Sequence, residues 1–190
     1  MMKKERFEAF TDAVIAIILT ILVLELHLPD ERHSWSALIE VGPMFFAYIL
    51  TFIFIATMWV NHHYLFAQVK QINNQIIWAN ITLLFWASLL PATTAWLGSD
   101  VHSMVSSTVY NVNVLLFNVT TAYLRRLVVK TNEIRGMHQL FIGELVSFGL
   151  NLITLVVTLF YPPFPFVGLS INIIFWLVLD AKTRITSKQI

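Results

Sequence analysis

Asp12 sits inside an apolar stretch, Phe10-Thr11-Asp12-Ala13-Val14-Ile15-Ala16-Ile17-Ile18-Leu19-Thr20-Ile21-Leu22-Val23-Leu24. An ionisable group within such a segment costs a few kcal/mol if the segment crosses a membrane, and it faces a bundle interior or water. Two chemistries fit it: a polar tie that fastens helices together, or a group beside an ion path. Trp59, His62, His63 and Phe66 are spaced i, i+3, i+4 and i+7, so a helix would put them on one face. Adjacent histidines suggest a metal or haem ligand pair. However, two neighbours on one helix point about 100° apart, and no Cys or acidic residue nearby completes a tetrahedral set. A hydrogen-bonded cluster of Asp12, a histidine and Trp59, joined by Arg6, is the better expectation. Glu25, Glu144 and Asp180 lie near helix ends or on polar faces, as the groups of a proton-coupled carrier would.

Enzymatic chemistry has little to stand on. There is no HExxH, GxSxG or P-loop pattern. Cysteine is absent, which removes disulfides, thiolate metal sites and thiol nucleophiles. No enzyme activity and no resident cofactor are expected. The net charge of +1 gives no footprint for nucleic acid, and no such partner is expected.

The elements that would position these residues are set by composition. The 190 residues are 57% hydrophobic and 12% charged, against about a quarter charged in a soluble domain; mean hydropathy is +0.73. Apolar segments fall at about 8–28, 36–61, 74–97, 101–124, 138–161 and 163–181, each close to the roughly 20 residues that cross a bilayer as a helix. Threading them from the inside leaves Arg32 as the sole basic residue outside, out of 12 Lys and Arg. Positive residues stay cytoplasmic during insertion, so both termini are expected inside the cell (inner) membrane. The first run, with Asp12 and Glu25 and no A-x-A-like cleavage site, reads as a retained helix rather than a signal peptide. Residues 1–190 then form a single six-helix transmembrane domain whose connections are too short to hold a soluble module. Activity must come from the helices or from assembly of several copies. The fourth segment, with Ser106, Ser107, Thr108, Asn111, Asn113, Asn118, Thr120 and Thr121, should turn its polar face to other helices.

Periodicity separates two sides of the first helix. Ala13, Ile17, Thr20, Leu24 and His27 follow a 4-3-4-3 stripe. Asp12, five residues before Ile17, lies about 140° around the axis. If the stripe faced a central axis, Asp12 would point back into its own subunit, which favours fastening. Arg6 falls only about 20° from the stripe. An arginine on that face would be offset by Glu5 or Glu8, or the helix would begin irregularly.

The motif Arg6-x-x-x-Phe10-Thr11-Asp12 opening a six-helix unit resembles the R-x-x-x-F-S-D signature of the transmembrane protein 175 family, the endolysosomal potassium channels and their prokaryotic relatives. The resemblance continues through Ala13-Val14-x-Ala16-Ile17 and through Trp59 with His62-His63. The motifs cover the first two helices, with Thr11 in place of the usual Ser. The resemblance implies an all-α membrane protein assembled as a homotetramer, with the first helix lining a central pore. It implies a hydrophobic constriction at Ile17, a selectivity-related threonine layer at Thr20 and further apolar pore positions at Ile21 and Leu24. Arg6, Phe10, Thr11, Asp12, Trp59, His62 and His63 would be the signature and fastening residues. The function implied is a potassium-preferring cation channel, with potassium as permeant ion near Thr20 and no metal tightly bound. No T-V-G-Y-G filter is present, so it is not an ordinary potassium-channel pore. The alternative from the residues alone is a small proton- or ion-coupled transporter using Asp12, Glu144 or Asp180. The partners expected are further copies of the chain and the lipid bilayer.

Overall fold

The computed structural model describes the backbone of residues 3–29, 33–134 and 138–187, and side chains there apart from 138–140 and 180–187. Everything below concerns these described residues. Their elements are helical throughout: α1 Lys4–Leu24, α2 Trp35–Glu40, α3 Gly42–Ala67, α4 Asn74–Ser88, α5 Leu90–Ser99, α6 Met104–Asn132, α7 His138–Thr158 and α8 Phe164–Ser187. Five helical stretches, with α4 and α5 taken as one, are long and apolar enough to cross a membrane; the apolar part of α8, Phe164–Leu179, is shorter.

The boundaries differ from the hydropathy reading in informative ways. α1 begins four residues early and ends at Leu24, because Pro29 disfavours helix at the residue before it and Glu25 closes the last turn onto Ile21 and Val23. The second segment breaks at Val41, leaving α2 as a separate six-residue helix capped by Ser34. α3 runs on to Ala67 and α6 to Asn132, well past the expected ends at 61 and 124. Hydropathy saw charges and polar rings at these positions and placed the boundary there, but Arg, Leu and Lys are good helix formers. Glu133, with φ 52°, ends α6 in the left-handed region. Asn132 fixes this end by accepting from the Lys70 and Gln71 amides, both at 2.8 Å.

The third segment is broken at Leu89, two residues before Pro91. Proline removes a helical donor and bends the chain. Asn113 of α6 repairs the gap. With its amide turned so that both ends find partners, it donates to the Trp86 carbonyl (3.0 Å) and accepts from the Leu90 amide (3.3 Å).

Packing is sequential. α4 lies on α6, α6 on α7, α7 on α8, α3 on α5 and α8, and α1 on α3, α4 and α5. Phe54, Ile55, Phe66, Leu83, Tyr110, Phe117 and Leu124 form part of a continuous buried core. Gly98 and Gly168 allow the closest approaches. A Cβ at Gly98 would lie 2.7 Å from the Met44 Cα, and one at Gly168 would collide with the Thr154 side chain. Polar groups of α6 turn inward as expected: Tyr110 shares a network with Thr51 and Thr94 (2.9 and 3.0 Å), and Asn111 donates to Thr158 (2.7 Å). Outside this interior the surface is apolar, with Trp78, Phe85, Leu145, Phe160 and Ile174 exposed. Water would not tolerate such a girdle over most of a molecule, whereas hydrocarbon does. The chain is an all-helical, multi-pass membrane protein.

Candidate functional site

α1 divides into two faces. Phe7, Thr11, Ile15, Ile18 and Leu22 are buried, at spacings of four, four, three and four, against the rest of the chain. On the other side Arg6, Phe10, Ala13, Ile17, Thr20, Ile21 and Leu24 are exposed, Ile17 at 57% and Leu24 at 74%. The 4-3-4-3 stripe read from the sequence is thus the face that the chain's own helices leave uncovered.

Two hydrogen-bonded chains hold the buried face. The first runs through the interior. Thr11 Oγ1 donates to the Phe7 carbonyl (3.1 Å) and accepts from Asn80 Nδ2 (2.8 Å), and Asn80 Oδ1 meets His62 Nε2 at 3.1 Å. An amide oxygen only accepts, so His62 carries its proton on Nε2 here. One residue each from α1, α4 and α3 are tied in this way. The second chain lies at the rim, where Trp59 Nε1 donates to Asp12 Oδ1 at 2.8 Å and His63 stacks on the Trp59 ring at 5.9 Å. Below both, Phe66 packs between Phe7 (4.9 Å) and His62 (4.3 Å). A buried intramembrane hydrogen bond contributes on the order of 0.6–1 kcal/mol, so the bonds act mainly by fixing rotation and depth rather than by raw stability.

The structure separates the two histidines. His62 is buried and turns to Asn80, whereas His63 is exposed beside Trp59 and Tyr64. Asp12 and Trp59 meet by a hydrogen bond with His63 stacked beside them, while His62, about 100° around the helix, turns to the separate Thr11–Asn80 chain. Arg6 joins neither chain: among the described residues it has no ion pair or hydrogen bond, and α1 is regular from Lys4 onward. Glu8 lies 3.8 Å from Lys4, not from Arg6. Phe10 is 53% exposed.

Thr20 Oγ1 donates to the Ile17 carbonyl at 2.7 Å. Its proton is used within the helix, so the oxygen lone pairs are left to face outward, where they can serve a cation. Asn80 and Phe7 were missed by sequence reasoning, and Asn113 was read only as part of a polar face. Asn80 had a signal, as a polar residue in the middle of an apolar segment, but nothing connected it to Thr11 and His62.

A second polar cluster lies between α6, α7 and α8. Arg125, 5% exposed, is 3.1 Å from Glu144 and lies over the Trp176 ring at 5.2 Å. Ser147 beside them accepts from Asn172 (2.9 Å) and Trp176 (3.2 Å). Asp12 and Glu144 thus belong to different clusters on different helices, and the side chain of Asp180 lies outside the described residues.

Comparison with known proteins bears on both clusters. Residues 6–91 match the family model described as endosomal/lysosomal potassium channel TMEM175. A protein of Chryseobacterium sp. (strain P1-3) named as a potassium channel is 34% identical over 193 residues, covering 99% of this chain and 100% of that one. The human endosomal/lysosomal proton channel TMEM175 is 37% identical over 101 residues, 47% of this chain and 20% of its own. The crystal structure of a lysosomal potassium-selective channel TMEM175 homolog from Chamaesiphon minutus superposes with a TM-score of 0.80 at 25% identity, covering 92% of this chain and 96% of that one.

Proposed function

The chain belongs to the TMEM175 channel family, and on that premise we propose that it is a potassium-preferring cation channel in which four copies bring α1 around a central pore. The observation that carries the reading is the uncovered face of α1, with Ile17, Thr20 and Leu24 exposed while the opposite face is tied to α3 and α4. Lipid alone would suit Ile17, Ile21 and Leu24. It would not suit Arg6 and Thr20 on the same stripe, nor explain why Ala9, Ala13 and Ala16 are small where they are exposed. Small residues let neighbouring helices approach closely, and Ile17, the first large side chain of the stripe beyond them, then forms the narrowest apolar ring.

In this reading four Ile17 side chains close the path by expelling water, and opening requires the helices to splay or rotate. Thr20 hydroxyls, held by Ile17 carbonyls, replace part of the hydration shell of a permeant potassium ion. Such a ring offers fewer ligands than stacked carbonyls, so discrimination against sodium is modest. No resident cofactor or tightly bound metal is called for, and no catalytic step. In this reading Arg6 stands at the inner mouth, and among the described residues it has no ion pair. Glu5 and Glu8, also on α1, supply compensating charge near the same mouth.

The chain forms a single six-span domain over residues 1–190, with both ends cytoplasmic in the cell membrane. Lys3, Lys4, Arg6, Lys70, Arg125, Arg126 and Lys130 all fall on the inner side of that threading. The remaining basic side chains, Arg32, Arg135, Lys182, Arg184 and Lys188, lie outside the described residues.

The test is the reversal potential of purified protein in a planar bilayer, with potassium on one side, sodium on the other and equal pH. The expected result is a stable current of many ions per opening, reversing toward the potassium equilibrium potential. Reversal midway between the two ions contradicts the preference. A current that follows only an imposed pH gradient would assign the chain the proton conduction named for its animal relatives.

A further inference from the structure

We propose that the cleft between α6, α7 and α8 holds the headgroup of an anionic phospholipid from the cytoplasmic leaflet. The cavity measures about 400 Å³ and lies away from α1, which packs on α3, α4 and α5 instead. Its walls have two characters. Val119, Ala122, Leu145 and Phe148 are apolar, while Arg125, Arg126 and Glu144 gather at one end. Arg125 is matched by Glu144 at 3.1 Å and covered by Trp176. Arg126 is exposed at the same end, and its charge and that of Arg125 both act on the one carboxylate there, Glu144. The cleft therefore presents an excess positive charge at its mouth.

A phosphate held by Arg126 would leave the acyl chain to continue along Val119 and Phe148 toward the membrane centre. The rim is open, with Tyr123 at 57% and Leu145 at 70% exposure.

The occupant follows from charge and depth. The inference rests on the orientation proposed above, which puts the C-terminal end of α6 and the start of α7 at the inner leaflet. That leaflet is the negatively charged one, and basic pockets between helices on that side suit anionic headgroups.

The experiment is native mass spectrometry of the intact full-length assembly after incubation with equimolar phosphatidylglycerol and phosphatidylcholine. It involves no ionic current, so failure of the channel reading leaves its result intact. One phosphatidylglycerol retained per subunit, in preference to phosphatidylcholine, is expected. Arg126→Gln should cut that retention about fivefold, the worth of one cation near a charged membrane surface. Ala122→Phe fills the cleft with all charges kept and should reduce retention of both lipids. Lys130→Gln, on α6 but outside the cleft, should change nothing. The proposal is overturned if Arg126→Gln retains lipid like the parent, or if Lys130→Gln has an equal effect, since retention would then reflect diffuse surface charge. It is also overturned if thiol cross-linking between Leu145→Cys copies shows a second subunit filling the cleft.

Discussion

Two polar clusters tie this bundle together, one reaching the rim and one buried, and they solve the same problem in opposite ways. Around α1, Thr11–Asn80–His62 and Asp12–Trp59 form a set of hydrogen bonds with one carboxylate at its rim. Between α6, α7 and α8, a full ion pair, Arg125–Glu144, is buried under an aromatic ring. The first cluster holds one side of a helix whose other side is bare. The second locks helices that are packed on several sides. A hydrogen-bonded set of short side chains sets rotation and depth and lets a helix present one face reproducibly. A buried ion pair makes each partner depend on the other, because either charge left alone in the interior is strongly destabilising.

Removing one partner from each cluster should separate these roles. Arg125→Leu leaves Glu144 buried without its cation, which should lower stability by about 3–5 kcal/mol, read as a lower melting temperature in detergent. Protein that does fold should conduct like the parent. Arg125→Leu with Glu144→Leu should recover most of the loss, because an apolar pair of similar volume replaces a desolvated ion pair. Asn80→Ala leaves the His62 Nε2 proton without its acceptor and should cost about 1–3 kcal/mol. Unlike the first change it should also alter single-channel conductance, because α1 loses its register.

Smaller effects sharpen the contrast. Asp12→Asn keeps an oxygen for Trp59 but removes the charge, so the loss should be near 1 kcal/mol, with current retained. A carrier that moved protons through Asp12 would lose transport altogether. At the bare face, Thr20→Val should leave the melting temperature within error and reduce the shift of reversal potential toward potassium. Thr20→Ser, which keeps the hydroxyl, should preserve it. Equal reversal potentials for the two variants would remove Thr20 from ion selection.

What could be read without coordinates follows from which interactions are periodic. The two faces of α1 were legible because burial on a helix repeats every three to four residues, and a mixed stripe of Ile17, Thr20 and Leu24 stands out against it. Asp12 was legible as a fastening group from its angle to that stripe. Its partner among Trp59 and the histidines was only half legible. A shared face says which side chains are neighbours on one helix, but not which of them reaches the next. His62 turned to Asn80, a residue of a third helix whose polarity stands out locally but names no partner. The break at Leu89 has a local cause in Pro91, but its repair by Asn113 depends on a side chain 24 residues away, which no local propensity encodes. Helix ends at the membrane surface were misplaced because hydropathy marks where lipid ends, not where helix does.

The central claim is that the bare stripe of α1 surrounds an ion path, and a chain without cysteine allows a direct test. The measurement is current through Ile17→Cys before and after addition of cadmium ion, with Ile15→Cys on the buried face as control. Thiolates converging from several copies would hold cadmium tightly, so Ile17→Cys current should fall to baseline and return on chelation, while Ile15→Cys current stays unchanged. An Ile17→Cys protein that conducts and is indifferent to cadmium would place the ion path elsewhere and contradict the account.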